Sequence, residues 1–178
     1  MKENIRKRVL TICVCALLAA LSFVLAYFAK TIFGKGPLRF TVENIPIFIA
    51  SGAYGPVMGM LVGVIADLLS CVVSGMAPIP LITVGAALVG LVSGLVFRFL
   101  KVKPVPRTVI GVFSGHFIGS MIIKTVALFG FYGEITLIRI PIYIGIAALE
   151  SFVITLLFSR KSIRDLMKKA GGELYYDN

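Results

Sequence analysis

Residues 9–29 read VLTICVCALLAALSFVLAYFA, an apolar run without a charged side chain. A helix of about 20 apolar residues crosses the hydrocarbon core of a bilayer, and this run has that length. It is longer than the apolar part of a signal peptide, which has roughly 7–15 residues, and no small-residue cleavage pattern ends it. The run therefore predicts a transmembrane helix that is retained in the protein.

The apolar character continues through the rest of the chain. Hydrophobic residues make up 58% of the 178 residues, and the mean hydropathy is +1.00. A water-soluble domain of this length cannot bury so much apolar surface, so lipid is the expected solvent. We predict an all-α integral membrane protein with six transmembrane helices in one domain, residues 1–178. The predicted spans are residues 9–29, 41–54, 55–75, 79–100, 107–129 and 137–158.

The distribution of Lys and Arg predicts the orientation in the membrane. Cytoplasmic loops are enriched in these residues, and thirteen of the eighteen lie in residues 1–8, 98–107 and 160–169. Six spans place these three segments on one side, so we predict that both termini are cytoplasmic. Anionic lipid headgroups of the bilayer, rather than nucleic acid, are the expected partners of these cations.

Five basic residues fall instead at the predicted outer level. They are Lys30, Lys35, Arg39, Lys124 and Arg139. Because the outer side of a membrane protein does not usually attract Lys and Arg, these positions need another explanation. We interpret them as a site for an anionic ligand that arrives from outside.

Small residues recur at helical spacing within the predicted spans. Ala16 and Ala20 form one such pair on the first helix. Two rows of glycines share the spacing: Gly55, Gly59 and Gly63, and Gly111, Gly115 and Gly119. In lipid, helices associate through faces of small residues, where the backbones approach closely. We expect the glycine rows to pack within the chain, whereas Ala16 and Ala20 suit either internal packing or docking of a partner membrane protein.

The second predicted helix opens with RFTVENIPI at residues 39–47, and a Tyr54-Gly55-Pro56 turn separates it from the third. Asp67 follows about 18 Å along that third helix, at 1.5 Å per residue. An ionisable side chain inside a membrane indicates a functional site. Internal ion pairs are the alternative, either of Asp67 with Lys124 or Arg139, or of Glu43 with Arg39.

Two further ionisable residues lie deeper in the predicted bundle. His116 falls near the middle of the fifth span and Glu150 lies within the sixth. We expect His116 to be packed and hydrogen-bonded, with Glu150 as a candidate partner. The cysteines Cys13, Cys15 and Cys71 have the spacing of neither a zinc site nor a disulfide framework, so we predict no metal site.

The outer level thus combines cations, hydrogen-bonding groups and aromatic rings, which would suit a planar heterocycle with an acidic tail. The predicted substrate-binding residues are Arg39, Glu43, Asn44, Phe48, Tyr54, Asp67, Lys124, Phe131, Arg139 and Tyr143.

Over its whole length the chain resembles the substrate-binding S components of energy-coupling factor (ECF) vitamin transporters. The resemblance rests on the Ala16-x-x-x-Ala20 face, on Asn44-Ile45-Pro46-Ile47 followed by Tyr54-Gly55-Pro56, and on Asp67. The chain is most similar to the folate-type members. The resemblance implies a multi-pass protein of the bacterial cell membrane, with a vitamin pocket closed by residues 30–40, 73–79 and 130–136. It also implies docking through Ala16 and Ala20 onto a membrane T component driven by two cytoplasmic ATPases.

Charge favours folate among the vitamins, because folate carries two carboxylates and a pterin ring rich in hydrogen-bonding groups. We expect Arg39, Lys124 and Arg139 to face the tail. Glu43, Asn44 or Asp67 are then expected to face the pterin, with Phe48, Tyr54 or Phe131 as apolar walls, although the two ends could be exchanged.

The chain contains no Gly-x-x-x-x-Gly-Lys-Ser/Thr loop, so we expect no cofactor in this chain and ATP use by the partner ATPases. The alternatives are an S component for pantothenate or riboflavin, a stand-alone secondary transporter, and an intramembrane enzyme using Asp67, His116 and Glu150. An enzyme would usually cluster such groups, and here they occur singly.

Overall fold

A computed structural model of the protein describes residues 2–33 and 42–172, and every regular element within these ranges is a helix. This confirms the predicted all-helical class. The elements are α1 (Lys2–Phe33), α2 (Ile45–Tyr54), α3 (Pro56–Val73), α4 (Pro80–Phe99), α5 (Pro104–Gly115), a π-helical segment (His116–Ile123), α6 (Lys124–Tyr132), a 3-10 segment (Gly133–Ile138), α7 (Arg139–Ser159) and α8 (Lys161–Lys169).

Several of these helices are long and apolar enough to cross a membrane. Within the described ranges they form four stretches, Asn4–Ala29, Pro56–Val73, Pro80–Phe99 and Pro104–Ser159. The last stretch has 56 residues and contains the fifth and sixth predicted spans, while α2 is apolar but has only ten residues. The count of six spans and the cytoplasmic position of both termini stay predictions.

Prolines fix the starts of the helices in the middle of the chain. Helices α3, α4 and α5 begin at Pro56, Pro80 and Pro104. Proline suits the first turn because the N–H groups there have no hydrogen-bond partner within the helix, so nothing is lost when one is absent. Gly55 joins α2 to α3 with a φ of 91°, which a residue without a Cβ adopts freely. The predicted tight turn between the second and third helices is therefore confirmed.

Helix α4 packs directly against the backbones of both predicted glycine rows. A Cβ on Gly63 of α3 would lie 2.4 Å from the Ala86 carbonyl oxygen, and one on Gly119 of the π-helical segment would lie 2.5 Å from the Gly85 carbonyl oxygen. Side-chain carbons do not fit at such distances, so these helices touch through their backbones. Internal packing of the glycine rows is confirmed, with Gly85 and Gly90 of α4 as the partner surface.

The predicted spans anticipate neither the π-helical segment nor helix α8. The π-helical segment interrupts the fifth span, and Thr125 Oγ1 donates to the Ser120 carbonyl oxygen, five residues back, at 3.3 Å. Such segments are rare within helices and occur frequently at functional sites. Helix α8 follows the last span, with Met167 packed against the core while Lys168 and Lys169 are exposed.

The packing against α4 predicts that Gly90→Ala destabilises the protein. Its Cβ would meet the backbone of Gly59, and overpacking of this kind costs about 1–3 kcal/mol. We expect a lower melting temperature in detergent. Gly145→Ala on α7 is the matched control, since a Cβ there meets nothing within 4 Å and alanine favours a helix over glycine by about 1 kcal/mol. Equal melting temperatures for the two variants would contradict the packing.

Candidate functional site

A cavity lies among α1, α2, α3, α4, α6 and α7. Its volume is about 170 Å³. Seven of the residues predicted to bind substrate line it: Glu43, Asn44, Asp67, Lys124, Phe131, Arg139 and Tyr143. Met76, Ala77 and Tyr132, from two of the segments expected to close the pocket, line it as well. Their contact with a ligand stays a prediction.

Two other predicted residues, Phe48 and Tyr54, do not line this cavity. Phe48 is fully buried one turn after Asn44, with its ring centroid 5.3 Å from that of His116. Tyr54 ends α2 and packs against the hydrophobic core, ten residues after Asn44 and thus about 15 Å along the helix. Neither side chain forms a wall of the cavity. Arg39 lies outside the described residues.

Two buried cations enter the cavity from the helices that follow the π-helical segment. Lys124 is 6% exposed and its Nζ lies 3.8 Å from Glu43 Oε1. Arg139 is 3% exposed, donates from Nη2 to the Tyr143 hydroxyl at 3.1 Å, and places its guanidinium 5.1 Å from the centre of that ring. Buried charges require such partners. These contacts fix both cations at the cavity wall.

Asp67 is held by a hydroxyl rather than by a cation. Thr83 Oγ1 of α4 donates to Asp67 Oδ2 at 2.6 Å. Among the described residues Asp67 forms no ion pair with Lys124 or Arg139, so the alternative of such an internal pair is wrong. Lys124 pairs with Glu43 instead. An ionised carboxylate has about four acceptor positions, so one hydroxyl leaves Asp67 able to accept hydrogen bonds from a ligand.

Asn44 is the most unusual residue of the lining. It is fully buried at the N-cap position of α2, yet its side chain does not cap the helix. Neither Oδ1 nor Nδ2 has a hydrogen-bond partner among the residues that the structure describes. A buried polar group without a partner costs about 1–3 kcal/mol. Asn44 is therefore a residue of the cavity lining whose amide donor and acceptor are both unsatisfied.

A second polar cluster lies next to the cavity without lining it. His116 Nε2 is hydrogen-bonded to Glu150 Oε2, and His116 Nδ1 lies 3.2 Å from Ser120 Oγ. Both His116 and Glu150 are fully buried. The rings of Phe48 and Tyr143 flank the imidazole at centroid distances of 5.3 and 5.7 Å. The prediction that Glu150 is the partner of His116 is confirmed.

The surface of α1 is divided between the bundle and its surroundings. Ala16 and Ala20 are exposed, whereas Cys15 and Ala19 are buried in the core. The Ala16–Ala20 face therefore does not pack against the rest of the described chain, which was one of its two predicted roles. Docking of a partner through this face stays a prediction.

Two hydroxyl residues hold other residues of the site in place, and neither of them was identified from the sequence. Thr83 holds Asp67, and Ser22 Oγ of α1 donates to the Glu43 carbonyl oxygen at 2.6 Å. Each is one polar residue in an apolar run, and a hydropathy pattern does not distinguish it from a hydroxyl that bonds to its own helix. Within the described residues, no three His, Cys, Asp or Glu side chains are grouped to hold a metal ion.

Comparison with known proteins identifies the family. The sequence profile of the ECF transporter substrate-specific component matches residues 10–160. No curated protein and no solved structure gave a significant match. Components of this family bind the substrate of a transporter whose other parts are a T component and ATPases, and they are not enzymes. The chain therefore belongs to the family of ECF transporter substrate-specific components, which are multi-pass membrane proteins.

Proposed function

We propose that this protein is the folate-binding S component of an ECF transporter in the bacterial cell membrane. It takes folate from outside and delivers it through a T component driven by two cytoplasmic ATPases. The observation that carries the proposal is Asn44, which lines the cavity together with Lys124, Arg139 and Asp67, and whose buried amide lacks a partner among the described residues.

The pterin ring matches the acceptors and donors at the α2 and α3 side of the cavity. Its pyrimidinone edge carries an N–H donor beside a carbonyl acceptor, and an asparagine amide pairs with such an edge through two hydrogen bonds, as it does with adenine. Asp67 then accepts from the exocyclic amino group, since Thr83 occupies only one of its oxygens. This arrangement satisfies both polar atoms of Asn44.

The acidic tail matches the cations of α6 and α7. Lys124 and Arg139 are both buried in the lining, and hydrogen bonds between ionised groups are about twice as strong as neutral ones. The Tyr143 hydroxyl and the ring beneath the guanidinium hold Arg139 in place. Phe131 and Tyr132 line the cavity while remaining partly exposed, so they can close over the ligand by stacking.

A vitamin with one carboxylate, such as pantothenate, is the second candidate. The described lining holds two basic residues, Lys124 and Arg139, and two acidic ones, Glu43 and Asp67. Since Glu43 already pairs with Lys124, this balance favours a ligand of lower charge than folate. Calorimetry with the purified protein compares folate and pantothenate directly. Binding of pantothenate alone would retain the family and reject folate.

Delivery depends on partners in this proposal. The chain has no phosphate-binding loop, so ATP is used by the ATPases and this chain carries no cofactor of its own. Six spans in one domain with both termini in the cytoplasm would place the cavity toward the outside. The exposed Ala16–Ala20 face of α1 is the docking surface for the T component, because small residues permit close helix contact in lipid.

The first prediction concerns the tail site. Arg139→Gln should weaken folic acid binding by about 1.5–3 kcal/mol, the usual contribution of a hydrogen bond to a charged group. It should leave binding of 6-hydroxymethylpterin, which lacks the tail, nearly unchanged. Titration calorimetry in detergent measures both. Lys101→Gln, at an exposed position away from the cavity, is the control. Equal losses for the two ligands would reject the assignment of Arg139 to the tail.

The second prediction concerns docking. Ala16→Leu combined with Ala20→Leu should abolish folate uptake by the assembled transporter in vesicles while folate binding to the isolated protein persists. Both residues are exposed, so the larger side chains are expected to be tolerated by the fold. Ala148→Leu, at an exposed alanine of α7, is the matched control. Normal uptake by the double variant would place the docking surface elsewhere, and loss of binding would show that the face supports the fold.

A further inference from the structure

Helix α7 carries three polar residues along one buried face. Tyr143 follows Arg139 by about one helical turn, Glu150 follows Tyr143 by about two, and all three side chains are buried. Arg139 and Tyr143 line the cavity, whereas Glu150 does not. Glu150 therefore lies on the same face as the proposed tail site, about two turns beyond it.

His116 of the π-helical segment connects Glu150 to Tyr143. Its Nε2 is hydrogen-bonded to Glu150 Oε2, and its Nδ1 lies 3.2 Å from Ser120 Oγ. Because both nitrogens of the imidazole have a partner, the orientation of the ring is fixed. This ring lies against that of Tyr143, with the centroids 5.7 Å apart and an angle of 52° between the planes. Such a separation is within the range of favourable aromatic contacts.

Tyr143 in turn holds Arg139 through two contacts. Its hydroxyl oxygen accepts a hydrogen bond from Arg139 Nη2 at 3.1 Å, and the guanidinium carbon lies 5.1 Å from the centre of its ring. A hydrogen bond weakens steeply with poor distance or angle, and a cation–π contact requires the charge to lie over the ring face. The position of the Tyr143 ring therefore determines where the guanidinium lies at the cavity wall.

Stability alone does not account for the pair of His116 and Glu150. Both side chains are fully buried, and Glu150 Oε1 has no hydrogen-bond partner among the residues that the structure describes. A buried acceptor without a partner costs free energy, and apolar residues of similar volume often replace a buried polar pair without loss of stability. A role in the neighbouring site explains the pair better.

We infer that His116 is a positioning residue that holds Tyr143 against Arg139 and so sets the guanidinium for the carboxylate tail of the ligand. Glu150 and Ser120 anchor its ring in this position. The inference rests on the proposed function, in which Arg139 binds that tail. It also assigns a role to the π-helical segment, from which His116 reaches α7.

Ligand binding to the purified protein tests the effect on the tail site. His116→Gln removes the ring but keeps a hydrogen-bonding side chain beside Glu150, and should weaken folic acid binding by about three- to tenfold, the scale of one aromatic contact. Binding of 6-hydroxymethylpterin, which lacks the tail, should stay nearly unchanged. In the Arg139→Gln background His116→Gln should have almost no further effect on folic acid, because residues that act through one contact are non-additive. Equal losses for the two ligands, or fully additive losses, would overturn the inference.

Nuclear magnetic resonance of the ligand-free protein tests the positioning without folate. In protein with isotope-labelled arginine, the Nε–H line of Arg139 is identified by its loss in Arg139→Gln. This line should move in His116→Gln, because the Tyr143 ring beside the guanidinium is no longer held. The line of Arg107, which is buried in α5, is the internal control and should stay in place. An Arg139 line that does not move in folded His116→Gln would reject the positioning role.

A second variant serves if His116→Gln does not fold. His116→Leu combined with Glu150→Met removes the ring and its anchor together, and apolar replacement of a buried polar pair is often tolerated. The same loss of folic acid binding, with little change for 6-hydroxymethylpterin, is expected. Parent-like binding of folic acid by this double variant would contradict the inference.

Failure of the inference and failure of the proposed function are distinguishable. Unchanged folic acid binding in Arg139→Gln would reject the proposed tail contact, and the resonance of Arg139 would still decide whether His116 positions the guanidinium. Weaker folic acid binding in Arg139→Gln, combined with parent-like binding and an unmoved Arg139 line in His116→Gln, would reject the positioning role alone.

Discussion

Contact between glycine backbones is the constraint on which the rest of this structure depends. Gly63 and Gly119 leave no room for a side-chain carbon against α4, so the backbone of α4 touches those of α3 and of the π-helical segment. Lipid provides little hydrophobic drive for helix association, and close packing of small residues replaces it. The cavity lies beside this contact, since Gly63 of α3 and Ala86 of α4 both line it.

This packing has a consequence for the polar residues. Groups buried in a bundle within lipid cannot turn to water, so each requires a partner inside the protein or in the ligand. Lys124, Arg139 and Asp67 obtain theirs from Glu43, Tyr143 and Thr83. Asn44 has none among the described residues. A ligand that supplies a donor and an acceptor would therefore recover the cost of leaving this amide unsatisfied, which contributes to affinity without any change of fold.

The sequence predicts those parts of the structure that depend on local pattern. Hydropathy places the apolar helices, and glycine spacing predicts the packed faces, because both signals come from residues a few positions apart. Phe48 shows the limit of such signals. Its distance along α2 is clear from the sequence, but whether it faces the cavity or His116 depends on the rotation of the helix within the bundle. The π-helical segment and the bond from Thr83 to Asp67 likewise depend on tertiary packing, and no local spacing indicates them.

Helix α1 connects the two proposed surfaces of the molecule. Ser22 and Ala26 line the cavity from its buried side, and Ala16 and Ala20 are exposed on its other side. Ser22 also donates to the Glu43 carbonyl oxygen at 2.6 Å, next to Asn44. A hydrogen bond tolerates a displacement of only a few tenths of an ångström before it weakens. A partner that tilts α1 would therefore act on the start of α2 through this bond, so ligand release can follow from the movement of one helix.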